Sequence, residues 1–310
     1  MTRHVAVALV GPTASGKSAL AHAVAFQEHD QVEILAVDAM TVYRGMDLAT
    51  AKPTRLERSE VSYHLLDLVE PSDEFTVAQF QSAARAAAAD VWRAGHKVLY
   101  VGGTGLYGRA VLDDLSIPGQ YPSVRALLDE RARDELPSLY AELEALDPIA
   151  ASRMEATNER RIVRALEVTL GAGRLFSSYG EGLATYGPAR VVQVALQSDF
   201  EQLDLRIASR FRSWMDQGLL EEVKALASAP GGMSRTARQA VGYRELLRHV
   251  EDGVDLEACV DDAIIQSRRL ARRQRSWFLR DPRIEWFDDL EKARTRLRDV
   301  LNGPDGFVRD

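Results

Sequence analysis

Val5-Ala-Val-Ala-Leu-Val-Gly-Pro-Thr-Ala-Ser-Gly-Lys-Ser18 decides how the rest of the chain is read. Its six leading apolar residues form a run of the length of one buried strand. Gly11 to Ser18 then matches G-x-x-x-x-G-K-[ST], placed between that strand and a helical pattern opening near Lys17. Glycines let the backbone curl so that successive N–H groups point inward, and a helix N-terminus adds partial positive charge. Lys17 supplies a full charge to a terminal phosphate, and the Ser18 hydroxyl can ligate Mg²⁺. Gly11, Pro12, Thr13, Ala14, Ser15, Gly16, Lys17 and Ser18 therefore read as a phosphate or diphosphate site, with a ligand-free glycine turn as the bland alternative.

Outward from this loop, a second apolar run from Val32 to Val37 ends at Asp38. His64 to Val69 is a candidate third strand, followed by a helical stretch from Thr76 to Arg93. Val98 to Val101 runs into Gly102-Gly103-Thr104 and a further helix. Strands separated by helices predict an α/β fold with a P-loop-containing parallel sheet core flanked by helices, and ligands at the carboxyl ends of the strands. Residues 1–117 form the first part of that core. Pro118-Gly119 and Pro122 then punctuate the chain, Ser123 to Leu170 is helical in pattern, and Gly171 to Pro188 reads as an exposed loop. The economical interpretation is a helical insertion domain over residues 118–188. Residues 189–310 complete the core, with a strand at Val191 to Leu196, helices to about Arg280, a strand at Ile284 to Phe287 and a closing helix.

A P-loop leaves the phosphate compound open. NTP hydrolases usually place an Asp at the end of another apolar strand, but Val98 to Val101 ends in glycines and Thr104. The best-placed acid is Asp38, which could hold Mg²⁺, take a proton from a nucleophile, or merely cap a helix. Composition narrows the setting. The chain has 310 residues and a formal net charge of −7, ordinary for a soluble globular protein. Its single cysteine, Cys259, excludes a disulfide framework or a Cys-based metal cluster and fits a reducing cytosol. No apolar run approaches the roughly 18–20 residues of a membrane span. Net acidity argues against a nucleic-acid partner, yet charge is unevenly spread: Arg268 to Arg283 holds seven arginines and one acid. On a helix, Val260, Ala263, Ile264, Leu270, Ala271, Trp277 and Phe278 form an apolar stripe. Arg268, Arg272 and Arg275 flank it on one side, Arg269 and Arg273 on the other. That pattern suits core packing with cationic shoulders facing phosphate, or else a solvated helix neutralised by Asp261 and Asp262. Gln274 falls on the apolar side, which points to a specific buried hydrogen bond. Trp277 and Phe278 read as core.

Nine ordered motifs resemble the tRNA dimethylallyltransferases. They begin with Gly11 to Ser18, Asp38-Ala-Met-Thr-Val-Tyr-Arg-Gly-Met-Asp47, Thr50-Ala-Lys-Pro53, His64-Leu-Leu-Asp67 and Val101-Gly-Gly-Thr-Gly-Leu-Tyr107. Arg160-Arg-Ile-Val-Arg-Ala-Leu-Glu167, Gly218-Leu-Leu-Glu-Glu-Val223, Ala240-Val-Gly-Tyr-Arg-Glu245 and Arg272-Arg-Gln-Arg-Ser-Trp-Phe278 follow. The resemblance implies transfer of a dimethylallyl group from dimethylallyl diphosphate to N6 of the adenosine adjacent to the anticodon, releasing diphosphate. Gly11 to Ser18 would cradle the diphosphate, with Mg²⁺ on Ser18 and with Arg210 neutralising charge. Asp38 would take the N6 proton and Thr104 would orient the reacting groups. The implied tRNA contacts are Asp38, Ala39, Met40, Thr41, Arg125, Arg160, Arg161, Arg164, Arg238, Gln239, Gly242, Tyr243, Arg272 and Arg273. The implied partners are a tRNA anticodon stem-loop and the prenyl donor, for a cytoplasmic monomer with no membrane partner. For Arg160, Arg161 and Arg164, a solvated face paired with Glu159 and Glu167 is the competing interpretation.

Ala39 and Thr41 stand where the family usually has Ser and Gln, and Ala49 where it usually has Gly. These departures remove a hydroxyl and an amide beside Asp38 and add a methyl where Gly could have used unusual backbone angles. Two rival functions follow from the same residues. One is prenyl transfer to a free adenine nucleotide or another small amine. The other is a P-loop small-molecule kinase with Asp38 activating a hydroxyl.

Overall fold

The computed structural model describes residues 4–28, 31–180, 182–183 and 185–308. The chain divides into two compact units, Met1–Asp113 with Pro188–Asp310, and Asp114–Gly187.

In the first unit the strands are β1 (Ala6–Val10), β2 (Val32–Ala36), β3 (Tyr63–His64), β4 (Lys97–Gly102), β5 (Val192–Leu196) and β6 (Ile284–Phe287). Among the described residues they form one parallel sheet in the order β3-β2-β4-β1-β5-β6. A parallel sheet covered on both faces requires strands apolar on both sides, which is why β1 has no polar residue. Ala6, Ala8 and Val10 pack into one core, while Val7 and Leu9 pack into the other. The second face is covered by α1 (Lys17–Gln27) and α12 (Leu290–Asn302), through Leu20, Val24, Leu297 and Val300. The first is covered by α3 (Val77–Arg93), α8 (Phe200–Asp216), α9 (Leu219–Ser228), α10 (Tyr243–Asp252) and α11 (Leu256–Phe278). The short helices α2 (Arg55–Glu60) and α4 (Gly105–Leu112) complete this unit.

The expected third strand is largely absent. Only Tyr63 and His64 pair with β2, because Leu65 and Asp67 take left-handed backbone angles (φ 67° and 54°) that no strand tolerates. An irregular segment instead buries Leu65 and half-buries Leu66, Leu68 and Val69.

The second unit is helical: α5 (Pro122–Leu146), α6 (Pro148–Ala151) and α7 (Glu159–Ala172). α5 departs from helical angles at Glu135, two residues before Pro137, where the ring opposes the preceding turn. Leu128, Leu139, Leu143, Ile162, Val163 and Leu166 form its core. Glu167, 3% exposed, ties the unit together. It accepts the Tyr121 N–H at 2.9 Å and pairs with Arg164 at 2.9 Å and Arg125 at 3.7 Å. The stretch expected to be loop from Gly171 is shorter than its glycines suggest. α7 runs to Ala172, Gly173 caps it in the left-handed region, and Phe176–Tyr179 make one tight turn. Glu181 and Ala184, also in that stretch, lie outside the described residues.

Candidate active site

Three adjacent strands, β2, β4 and β1, deliver the site at their carboxyl ends. After β1 the chain turns through Gly11 to Gly16 into α1. Gly16 occupies the N-cap at φ 93°, a conformation that favours glycine, and Ala14 is held at φ 63° despite its side chain. The Lys17 ammonium donates to the Pro12 carbonyl at 3.2 Å, and Arg210 on α8 donates to the Thr13 hydroxyl at 2.7 Å. The Arg210 guanidinium lies over the Trp214 ring, 4.7 Å from its centroid. Neither cation has a carboxylate partner among the described residues. Burial, and then repulsion from Arg210, push the Lys17 ammonium down to about 8, against a smaller upward pull from Asp38. Burial lowers Arg210 to about 10. The buried Ser15 hydroxyl and Arg210 Nε make no hydrogen bond within the protein. Two crowded cations, unused donors and a helix N-terminus form a site selective for a polyanion.

Asp38 follows β2. Its Oδ1 accepts the Met40 N–H at 2.8 Å, and its Oδ2 accepts the Thr104 hydroxyl at 3.1 Å. Thr104 is the N-cap of α4, yet its side chain makes no capping bond. Its oxygen instead accepts the Ala39 N–H at 3.3 Å while it donates to Asp38. Two fixed donors therefore orient the carboxylate and leave it further acceptor capacity. The close approach of β4 to β2 depends on Gly102, whose added Cβ would sit 2.0 Å from the Val37 carbonyl oxygen.

The loop after Asp38 is held by charges that sequence reasoning missed. Lys52, its ammonium stem 1% exposed, donates to the Tyr43 carbonyl at 2.6 Å, Asp47 at 2.8 Å and Asp67 at 2.5 Å. Asp67 also takes Arg58 at 2.7 Å. Glu222 on α9 accepts the N–H groups of Asp47 and Leu48 at 3.1 and 3.2 Å, and the Tyr243 hydroxyl. Burial raises the Glu222 carboxyl despite those bonds. A signal was available for Lys52, one of only five lysines in an arginine-rich chain.

The expected nucleic-acid contacts divide three ways. Ala39 and Met40 are half-buried beside Asp38, whereas Thr41 is buried with an unpartnered hydroxyl. Tyr243 is fully buried on Glu222 and Gly242 is buried at φ 96°, so both support the 47–49 turn rather than facing solvent. The Ala49 Cβ fits because residue 242 is glycine: a Cβ there would lie 3.0 Å from it. Arg238 is ion-paired with Glu251, and Gln239 is exposed. On α11, Arg272 grips Asp204 through two bonds of 3.0 and 2.7 Å and lies over Phe200. Arg273 is exposed, with no ion pair among the described residues. Asp261 and Asp262 do not neutralise these arginines: Asp262 takes Arg248 at 2.9 Å and Gln266. Phe278 is core and Trp277 half-buried, so the apolar stripe is a packing surface. Arg125 and Arg164 are engaged by Asp129, Glu167 and the Pro118 carbonyl within the second unit, where Arg160 and Arg161 are exposed.

Among the described residues no three His, Cys, Asp or Glu side chains cluster to hold a metal. No helix there is long and apolar enough to cross a membrane.

Residues 41–281 match the family described as IPP transferase. The tRNA dimethylallyltransferase of Bifidobacterium animalis subsp. lactis is 43% identical over 291 residues, 93% of this chain and 83% of that protein. That of Salinispora arenicola is 45% identical over 284 residues, 91% and 82% of the two chains. Among solved structures, the full-length tRNA isopentenylpyrophosphate transferase of Bacillus halodurans matches with a TM-score of 0.69 at 32% identity, over 97% of both chains. A eukaryotic dimethylallyltransferase acting on tRNA gives 0.78 at 23% identity, over 99% of this chain and 81% of that one, and shares the fold.

Proposed function

Because this chain belongs to the IPP transferase family, we propose that it moves a dimethylallyl group from dimethylallyl diphosphate to N6 of the adenosine adjacent to the anticodon of tRNA. The acceptor is then an anticodon stem-loop, and diphosphate is the leaving group. What carries the reading is one juxtaposition: an oriented carboxylate after β2 and a carboxylate-free cation site after β1, on strands separated only by β4.

In the reaction, adenine N6 attacks C1 of the allyl unit as the C1–O bond breaks, and the bonding pair leaves with the diphosphate. Lys17, Arg210, the loop N–H groups and the Ser15 hydroxyl neutralise that departing charge. Neither cation has to leave a carboxylate among the described residues to do so. Asp38 accepts an N6–H hydrogen bond and takes the proton as N6 becomes positive. Thr104 keeps the carboxylate oxygen aimed by donating to it. Ser18, in the first turn of α1, is the residue that would hold a Mg²⁺ ion at the diphosphate. Bound there on Ser18, Mg²⁺ would neutralise charge on the leaving group. The stacked adenine must be extruded from its loop to reach N6, so exposed arginines such as Arg273, Arg160 and Arg161 serve as phosphate contacts. We assign the enzyme to the cytoplasm, acting as a monomer.

Labelled dimethylallyl diphosphate offered with an anticodon stem-loop, AMP or ATP in parallel tests this. Label is expected in the stem-loop alone; label entering only the mononucleotides overturns the reading.

A further inference from the structure

Gln274 lies 261 residues from Thr13 in sequence, yet its Oε1 accepts the Thr13 N–H at 2.8 Å. The same Thr13 takes Arg210 on its hydroxyl, so helices α8 and α11 both hold one residue of the loop. The other face of the carboxamide rests against Gly103. A Cβ there would lie 2.8 Å from Gln274 Nε2 and 3.2 Å from the Gly11 carbonyl oxygen. One amide thus fills the notch between the polyanion loop and the turn that carries Thr104. In loops of this kind the N–H groups ordinarily serve the anion. Here one of them is given to a side chain, which fixes the loop's shape instead of binding ligand.

We infer that Gln274 is a positioning residue for the prenyl donor: by holding Thr13 it keeps Gly11 to Ser18 in the one conformation that receives a diphosphate. This rests on the reading above, in which the donor's diphosphate occupies that loop. Without the tether the loop samples other shapes, and apparent affinity falls by the fraction that stays competent. Asp38 retains its own bonds to Thr104 and Met40, so the chemical step is spared.

The test is Gln274→Met, which preserves length and apolar volume but cannot accept the Thr13 N–H. Loss of one such bond is expected to raise KM for dimethylallyl diphosphate roughly tenfold. The same variant is expected to keep kcat within about threefold and RNA affinity unchanged, because the tether acts on ligand binding alone. Inorganic diphosphate binding to the free protein, by calorimetry, is expected to weaken in parallel. A purely structural role predicts a lower melting temperature with the wild-type KM, and that result overturns the inference. Gln274→Glu keeps the acceptor, so hydrogen exchange at Thr13 is expected to stay slow in Glu and become fast in Met. Equal exchange in the two variants also overturns it. If wild type transfers no prenyl group, the functional reading fails, while the diphosphate calorimetry still decides the role of Gln274.

Discussion

Two loops leave adjacent parts of the same sheet edge, and they solve opposite problems. The loop after β1 is electrostatically unsatisfied. Among the described residues Lys17 bonds only a carbonyl, Arg210 only Thr13, and the Ser15 hydroxyl nothing. In the segment after β2 the charges are paired instead, although the Thr41 hydroxyl is not: Lys52 joins Tyr43, Asp47 and Asp67, and Glu222 satisfies two backbone donors and a tyrosine. The difference teaches how such a site divides labour. In the proposed reaction the leaving-group side would hold charge in reserve for an anion, and the acceptor side would be fastened so that a single carboxylate keeps one orientation.

The sharpest way to break this comparison is at Asp38. Asp38→Asn preserves shape and the Met40 contact but cannot take a proton. Turnover should fall by about 10²–10⁴, with RNA binding kept. An unchanged kcat would remove Asp38 from the base role and leave the second loop without a chemical purpose.

Next in size is Lys52→Met. It leaves the carboxylates of Asp47 and Asp67 without their shared ammonium and the Tyr43 carbonyl unbonded. Removing one partner of a buried ion pair costs about 3–5 kcal/mol, and the partly exposed aspartates favour the lower end. Urea unfolding measures it; a loss near zero would mean that this loop is held by packing alone.

How much of this division was legible depended on which physical signal carried it. The first loop was readable because its chemistry is local: glycines, a lysine and a serine at fixed offsets between an apolar run and a helix. Of the strands that pair on both sides, β1 was readable as an uninterrupted apolar run, and β2, β4 and β5 as apolar runs carrying one polar or charged residue each, Glu33, Lys97 and Gln193. The segment His64 to Val69 has the same hydrophobicity, but an apolar pattern does not distinguish a buried strand from a buried irregular turn. The left-handed angles at Leu65 and Asp67 decided the matter. The second loop's staples were hidden because Glu222 meets Leu48 across 174 residues, and spacing carries no information about such pairings. Gln274 lay between these cases. Its amphipathic position required a buried partner, while the identity of that partner, Thr13, came only from the fold.

A smaller effect comes from pH. Burial alone would raise the Asp67 carboxyl, but hydrogen bonds and charge from Lys52 and Arg58 outweigh it and hold the group below its ordinary value. A carboxylate depressed in the folded state adds stability that is present above its unfolded pKa and lost as pH falls through the folded one. The second loop should therefore weaken below about pH 4. Asp67→Asn should be less stable than wild type at neutral pH, with the gap closing under acid. Urea midpoints across that range test it, and a gap independent of pH would exclude Asp67 as a charged staple.

The smallest expected effect asks whether the contrast between engaged and unengaged charge extends to the arginines proposed to meet RNA. Arg272 and Arg273 are neighbours on α11, but Arg272 already holds Asp204 in two bonds and lies over Phe200, whereas Arg273 has no ion pair among the described residues. A phosphate must displace a carboxylate to reach the first and meets the second unopposed. Arg273→Ala should therefore flatten the dependence of log K on log salt by about 0.7, the value for one single-strand phosphate contact. Arg272→Ala should change it less, although the two residues carry the same charge. Filter binding of an anticodon stem-loop from low to moderate salt distinguishes them. Equal slopes for both variants would mean that Asp204 yields freely to RNA, and that engagement in the free protein does not predict which arginines bind.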